Sequence, residues 1–287
     1  MSSKGLNTKQ VGNLFGVDES TVRRWALSKK INCNTSAGGH RKFSYKNIIE
    51  FSKTTGMKIK TSNKKNFPNL SKRINQSIEL ALSNDYQKIE SSLINLYLNA
   101  MPLSTIMDDF VEKILVQIQK KLDKKNISVA EEHIARKIVS QALNNFKLSI
   151  LDINKINDKN ILCLNLENDI PDIPIDMIGI LLENIEYNVH NCGSHTSIND
   201  INKLLRNRKY EAIFIYLCDR QCCTSTLIDH IDKTNKNLKE IAQISKKYNI
   251  KLFLGGPYFK NIKKEILNEY HTFTKYSEVL NMNKFQP

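Results

Sequence analysis

From residue 159 onward short apolar runs alternate with longer amphipathic stretches, and this alternation constrains the fold more than any other feature. The runs are "NILCLNL" (160–166), "YNVHNC" (187–192), "YEAIFIYLC" (210–218), "IKLFLGG" (250–256) and "HTFT" (271–274). Between them lie "PIDMIGILLENI", "INDINKLLRN", a helical stretch from residue 224 to 248 and "NIKKEILNEY", with a last short helix after the fifth run. Strands this apolar must be covered on both faces, and intervening helices are the crossovers that parallel pairing needs. Residues 153–287 are therefore expected to form a Rossmann-like open parallel sheet of about five strands. Ligands of such sheets lie beyond the carboxyl ends of the strands, which selects residues 167–174, 193–197, 218–224 and 255–258.

Ahead of the sheet, helical periodicity covers residues 74–152 in four segments, "INQSIELAL", "YQKIESSLINLYLNA", "LSTIMDDFVEKILVQIQKKLDKK" and "SVAEEHIARKIVSQALNNFKL". Short breaks between them predict an antiparallel four-helix bundle. In the last segment Ser128 and Glu131 have the spacing of a capping box. Residues 53–73, rich in Lys, Asn, Ser, Gly and Pro, read as a flexible basic linker.

Charge separates the first quarter of the chain from the rest. Residues 1–75 hold 16 Lys and Arg against three acids, whereas the remaining residues hold 27 against 26, so almost all of the net +14 sits at one end. A neutral body with one basic end is the pattern of a polyanion-binding module joined to a second function. The apolar runs are far shorter than the roughly 20 residues of a membrane helix, and no secretory signal pattern opens the chain, so a cytoplasmic protein is expected. Six cysteines without C-x-x-C spacing are expected to be free thiols, and no metal site is assigned.

Within the basic end, Thr8 is placed to cap a helix carrying Val11, Leu14 and Phe15 and closed by Gly16. Asp18 then caps a second helix, residues 19–27. Val22, Trp25 and Ala26 form its inner side, while Ser20, Thr21, Arg24 and Ser28 lie opposite, with Arg23 on the flank. Two helices joined by so short a turn, the second polar and arginine-bearing outside, predict a helix-turn-helix. Ser20, Thr21 and Arg24 would face base edges, and Arg23 and Lys29 would lie near phosphates. "KINC" and "HRKFSY" read as two strands bent at "SAGGH", a basic wing that carries Arg41 and Lys42 toward the duplex with His40 bonding the hairpin backbone beside them.

The pairing of "VGNLFGVDESTVRRW" with "GGHRKF" resembles the winged-helix DNA-binding domain of the MerR superfamily, its BldC-like and excisionase-like branch, over residues 6–52. Asn34 stands where that family carries an arginine ahead of the wing. Glu132 and His133 resemble the Glu-His pair in the helical cap of cobalamin-binding regulators, with Leu122 at the position of the family's Trp. "LFLGGPYF" resembles the last Gly-Gly loop of a cobalamin-binding Rossmann-like domain. The whole chain is thus similar to light- and cobalamin-responsive MerR-type regulators of the CarH and LitR kind. That resemblance implies a cofactor site at Leu122, Glu132, His133, Pro171, Gly193, Tyr216, Gly255 and Gly256; His195 and the cysteines Cys218, Cys222 and Cys223 fall on the ligand edge of the sheet, where a substitute axial ligand or a thiol sensor would sit, with incidental thiols as the alternative. The resemblance also shows departures. Asp169 aligns with the acid of the family's cobalt-binding loop, but Pro171 holds the axial His position and Pro174 that of the Gly. Tyr216 replaces a Ser or Thr beside the slot for the cofactor tail.

The expectation is a multidomain α and α/β protein: a winged helix-turn-helix at 1–52, the linker at 53–73, the bundle at 74–152 and the sheet domain at 153–287. It is read as a transcription regulator and not an enzyme, with no catalytic residues. Its expected partners are double-stranded DNA and further copies of itself, since one reading helix covers only a few base pairs. Cobalamin is the cofactor the resemblance implies, set against none. A corrinoid carrier subunit, and a ligand-free scaffold for a protein such as an antirepressor, are the alternatives.

Overall fold

The computed structural model describes residues 5–36, 38–57, 69–151, 157–167, 173–218 and 230–281. The chain divides into two compact units, residues 1–102 with 137–150, and residues 103–136 with 151–287.

In the first unit, β1 (Leu6–Asn7) leads directly into α1 (Thr8–Phe15). The cap is Asn7, one residue before the expected Thr8: its side chain accepts the Gln10 amide and the Gln10 side chain accepts the Asn7 amide in return. Gly16 ends the helix in the left-handed conformation at φ 67°. After a three-residue turn, α2 (Glu19–Leu27) begins behind Asp18, whose carboxylate makes no capping bond. The turn is close enough that a Cβ on Gly12 would lie 2.7 Å from the Val17 carbonyl oxygen, so glycine is needed there for contact. β2 (Asn34–Thr35) and β3 (Arg41–Phe43) follow, and β3 pairs antiparallel with both β2 and β1. The hairpin strand lies at 34–35 and not at "KINC", where the Lys30 and Ile31 amides donate to the Trp25 carbonyl at the end of α2 and Ile31 is 2% exposed. The strand β1 has too few residues for a period to show it in the sequence.

α3 (Tyr45–Thr55), capped by the Ser44 hydroxyl, closes this part with Phe51 against Phe15 and Trp25 at ring separations of 5.3 and 4.7 Å. Helix therefore continues three residues into the segment read as linker; residues 58–68 lie outside the described residues. α4 (Leu70–Leu82) and α5 (Tyr86–Leu98) belong to the same unit, as does the second half of α8 (Val129–Ile150). Tyr97 meets Phe146 edge-on at 5.9 Å, and Lys53 donates to the Ile150 carbonyl at 3.0 Å.

The second unit opens with α6 (Leu103–Ile106), a π-helical turn at Met107–Val111 and α7 (Glu112–Asp123), then the first turns of α8. The segment 74–152 is thus shared between the two units. The sheet comprises β4 (Asn160–Leu164), β5 (Asn188–Asn191), β6 (Ala212–Tyr216), β7 (Lys251–Gly255) and β8 (His271–Phe273), all parallel, in the order β5-β4-β6-β7-β8. Each of the five apolar runs became a strand. α9 (Ile173–Asn184), α10 (Ile198–Asn207), α11 (Ile231–Tyr248), α12 (Lys264–Leu267) and α13 (Tyr276–Val279) complete the unit. Leu162, Leu164, Ile213, Ile215, Leu252 and Leu254 alternate onto one core against α10 and α11. Strands are added toward one edge from β4 to β5 and toward the other from β6 onward, so the ligand crevice of this topology opens at the carboxyl ends of β4 and β6.

Candidate nucleic-acid interface and the ligand edge of the sheet

In the first unit, helical geometry sorts the side chains of α2. Val22 is fully buried and Trp25, half-buried, packs edge-on against Phe15 at 5.9 Å, so Trp25 has a core role. Ser20, Arg23, Arg24 and Ser28 are exposed, and Thr21 is half-buried. Among the described residues the Arg24 guanidinium makes no ion pair; it donates to the Thr21 hydroxyl at 3.1 Å. Arg23 differs, because Glu19 one turn back pairs with it at 3.2 Å and cancels part of its charge. Leu27 is 71% exposed and shares the outer side with Ser20, Arg24 and Ser28. The sequence reading assigns Leu27 to neither side of the helix.

Lys29 follows the helix with φ 56° and is exposed. In the hairpin, His40 bonds Ser36 through its backbone: its carbonyl accepts the Ser36 amide at 3.0 Å and its amide donates to the Ser36 hydroxyl at 3.2 Å, leaving the imidazole exposed. Gly39 at φ 77° makes the turn. Arg41 and Lys42 are half-buried on β3, where Lys42 faces Asn34 across the ladder.

In the second unit, Glu132 is fully buried and receives a hydrogen bond from Arg136, itself 9% exposed. The His133 imidazole lies 3.8 Å from that carboxylate and is half exposed. Glu132 is therefore an internal partner of Arg136. The capping box forms as expected: Glu131 accepts from the Ser128 amide and hydroxyl, which holds its carboxyl below the ordinary range. Leu122 is half-buried in the last turn of α7.

At the carboxyl edge, Gly193 has φ 67° and His195 φ 61°; the Gly193 amide donates to the Asn191 side chain and its carbonyl accepts the Asn165 amide. His195 is exposed. Glu167 at the end of β4 pairs with Lys233 of α11 at 2.6 Å. The space beside Gly255 is taken by the Phe273 ring, into which a Cβ there would project. Gly256, at φ 95°, lies so close to the Leu217 carbonyl that a Cβ would overlap it. Tyr216 is 5% exposed, and its ring is parallel to that of Tyr276 at 6.1 Å. Tyr276 is fixed from the helical side: its amide and that of Ser277 donate to the Asp108 carboxylate at 2.7 and 3.1 Å, and its hydroxyl donates to Glu112 at 3.3 Å. None of Asp108, Glu112, Phe273 or Tyr276 was marked by the sequence, since no short-range pattern joins residues more than 160 positions apart.

Asp169, Pro171, Cys222 and Cys223 lie outside the described residues, whereas Pro174 is buried in the first turn of α9. Among the described residues Cys33 and Cys192 are free thiols. Burial, and secondarily Asp200, raise the Cys192 thiol, which argues against a reactive thiolate there.

The Gly255 geometry gives a direct prediction. Gly255→Ala is expected to destabilise the chain by about 1–3 kcal/mol through overpacking against Phe273, measured as a lower urea midpoint. An unchanged midpoint would mean that the space beside Gly255 is open.

No protein-family model matches the chain, and no curated protein does. Among solved structures it is similar to the Methanosarcina barkeri monomethylamine corrinoid protein, with a TM-score of 0.55 and 12% identity, over 74% of this chain and 97% of that one. The likeness is one of fold. A cobalamin-binding protein from Desulfitobacterium hafniense DCB-2 matches at TM-score 0.36 and 13% identity, over 75% and 98% of the two chains. The methanol:cobalamin methyltransferase complex of Methanosarcina barkeri matches at 0.34 and 12%, over 74% and 78%. Among the described residues no helix is long and apolar enough to cross a membrane.

Proposed function

We propose that this chain is a sequence-specific DNA-binding regulator, with a winged helix-turn-helix of MerR type at its basic end and a corrinoid-protein-like region behind it that governs assembly or partner binding. The observation that carries this is the outer side of α2. Ser20, Arg24, Leu27 and Ser28 stand exposed together within a segment of charge +13, followed by a hairpin bearing Arg41 and Lys42. Arg24 offers a fork of donors suited to guanine, and Leu27 an apolar contact suited to a thymine methyl group. Arg41, Lys42, Lys29 and Arg23 supply phosphate contacts, Arg23 more weakly because of Glu19. Repeated half-sites bound by two or more copies would supply the remaining specificity.

A second reading, a corrinoid carrier subunit, is favoured by the likeness to the monomethylamine corrinoid protein. The residues of this chain do not fit cobalamin held by a lower histidine with its tail inserted beside the last Gly-Gly loop. Pro171 has no donor atom for cobalt, Phe273 fills the space beside Gly255, and Tyr216 is packed with Tyr276.

The deciding experiment selects binding sites from random duplexes with the full-length protein. Mobility shifts then follow with and without adenosylcobalamin, in darkness and in light. A reproducible motif bound in every condition is expected. Recovery of no motif, together with a coloured protein after desalting, would establish the carrier instead.

A further inference from the structure

The carboxyl edge of this parallel sheet is the place where ligands of the topology bind, yet on its β6–β7 side the described residues leave no opening of that kind. Gly255 and Gly256 lack side chains for internal reasons, one facing the Phe273 ring and the other the Leu217 carbonyl. Leu217 is tied into the same place, its amide donating to Gly255 and its carbonyl accepting from Tyr258. Tyr216, Tyr258, Phe273 and Tyr276 are all at most 5% exposed. Tyr276 is the first residue of α13, and both free amides at that helix start are taken by the one carboxylate of Asp108. Asp108 lies in the π-helical turn, and Glu112, one turn later, reaches the Tyr276 hydroxyl. Thr274 and Lys275 amides are held by Glu278, so the whole approach to α13 is fixed.

We propose that this side of the sheet is a self-occupied joint: Phe273 and the Tyr216–Tyr276 pair fill the space beside the Gly255–Gly256 loop, and Asp108 and Glu112 fasten that filling to the helical segment 103–123. The joint is an intramolecular contact between the helical segment and the β6–β8 side of the sheet in the same unit. Among the described residues, a bulky cofactor entering beside Gly255 would have to displace α13, which would strand the Asp108 carboxylate and expose two tyrosines and a phenylalanine. This inference stands apart from DNA recognition, which it neither needs nor tests.

The test uses the full chain. Wild-type protein mixed with hydroxocobalamin or adenosylcobalamin and then desalted is expected to emerge colourless; retention of either near one equivalent would overturn the proposal. Asp108→Ala is expected to lower the melting midpoint by about 3–6 °C and to speed tryptic cleavage after the exposed Lys275 about fivefold or more through local opening. Asp108→Asn, which keeps one acceptor and loses the charge, should fall between, and it decides the matter if the alanine variant does not fold. Tyr276→Phe should keep the ring pair and lose only the Glu112 bond, with a shift of about 1–2 °C. Wild-type midpoints and cleavage rates in both Asp108 variants would show that the joint does not hold. Loss of sequence-selective DNA binding in wild-type protein would count against the proposed function and leave the joint intact.

Discussion

Arg24→Ala is expected to reduce affinity for the selected duplex about 10- to 100-fold while changing affinity for random duplex by less than about threefold. The structure supports this asymmetry because Arg24 is exposed, makes no ion pair within α2 and has only the Thr21 hydroxyl as a described partner. Its release to a base edge thus costs little, and its absence leaves the phosphate contacts in place. Lys42→Ala is the control with the opposite signature. It should weaken selected and random duplexes alike and lower the slope of log affinity against log salt by about one. Leu27→Ala should matter only on motifs that contain thymine at the corresponding step. Equal losses on every duplex for Arg24→Ala would place another side of α2 in the groove, and the specificity reading of Ser20, Thr21 and Arg24 would fail with it.

The strands were legible in the sequence because their signal is local and redundant. A run such as Ala212 to Tyr216, buried at every position, has few ways to be soluble except in the middle of a covered sheet. The helices α1 and α2 were legible for a similar reason, as Gly16 and the spacing of Val11, Phe15 and Val22 mark both ends and the inner side. What the sequence did not show depends on distant partners. β1 has only two residues and exists because Phe43 and Lys42 pair with it. The cap at Asn7 instead of Thr8 is a competition between neighbouring side chains for one amide, which is settled by geometry. The glycines at 255 and 256 look like a ligand cradle in the sequence, but Phe273 and Leu217 supply a structural cause for both. Glu132 and His133, adjacent and similar in chemistry, part company in the fold: one is buried with Arg136 and the other is half exposed.

That separation carries the largest stability prediction. Arg136→Leu leaves the fully buried Glu132 carboxylate without its guanidinium and is expected to cost about 3–5 kcal/mol, read as a fall in the denaturant midpoint at unchanged m-value. The second Glu132 oxygen lacks a hydrogen bond among the described residues, and its near neighbour there, the His133 imidazole, stands 3.8 Å away. Glu132→Gln with Arg136 intact should cost less, because the amide oxygen still accepts from the guanidinium. Replacing both, Glu132→Leu with Arg136→Leu, should recover most of the loss, since neither charge then needs solvation. His133→Ala should change stability by less than about 0.5 kcal/mol, as expected for an exposed position. If instead the costs of Arg136→Leu and Glu132→Leu, each made alone, add in the double variant, the pair is not coupled and Glu132 is buried for a reason outside Arg136. A coupling of several kcal/mol would assign Glu132 to holding α8 in place, which removes it from any set of residues facing a cofactor and leaves His133 as the side chain of that pair open to solvent.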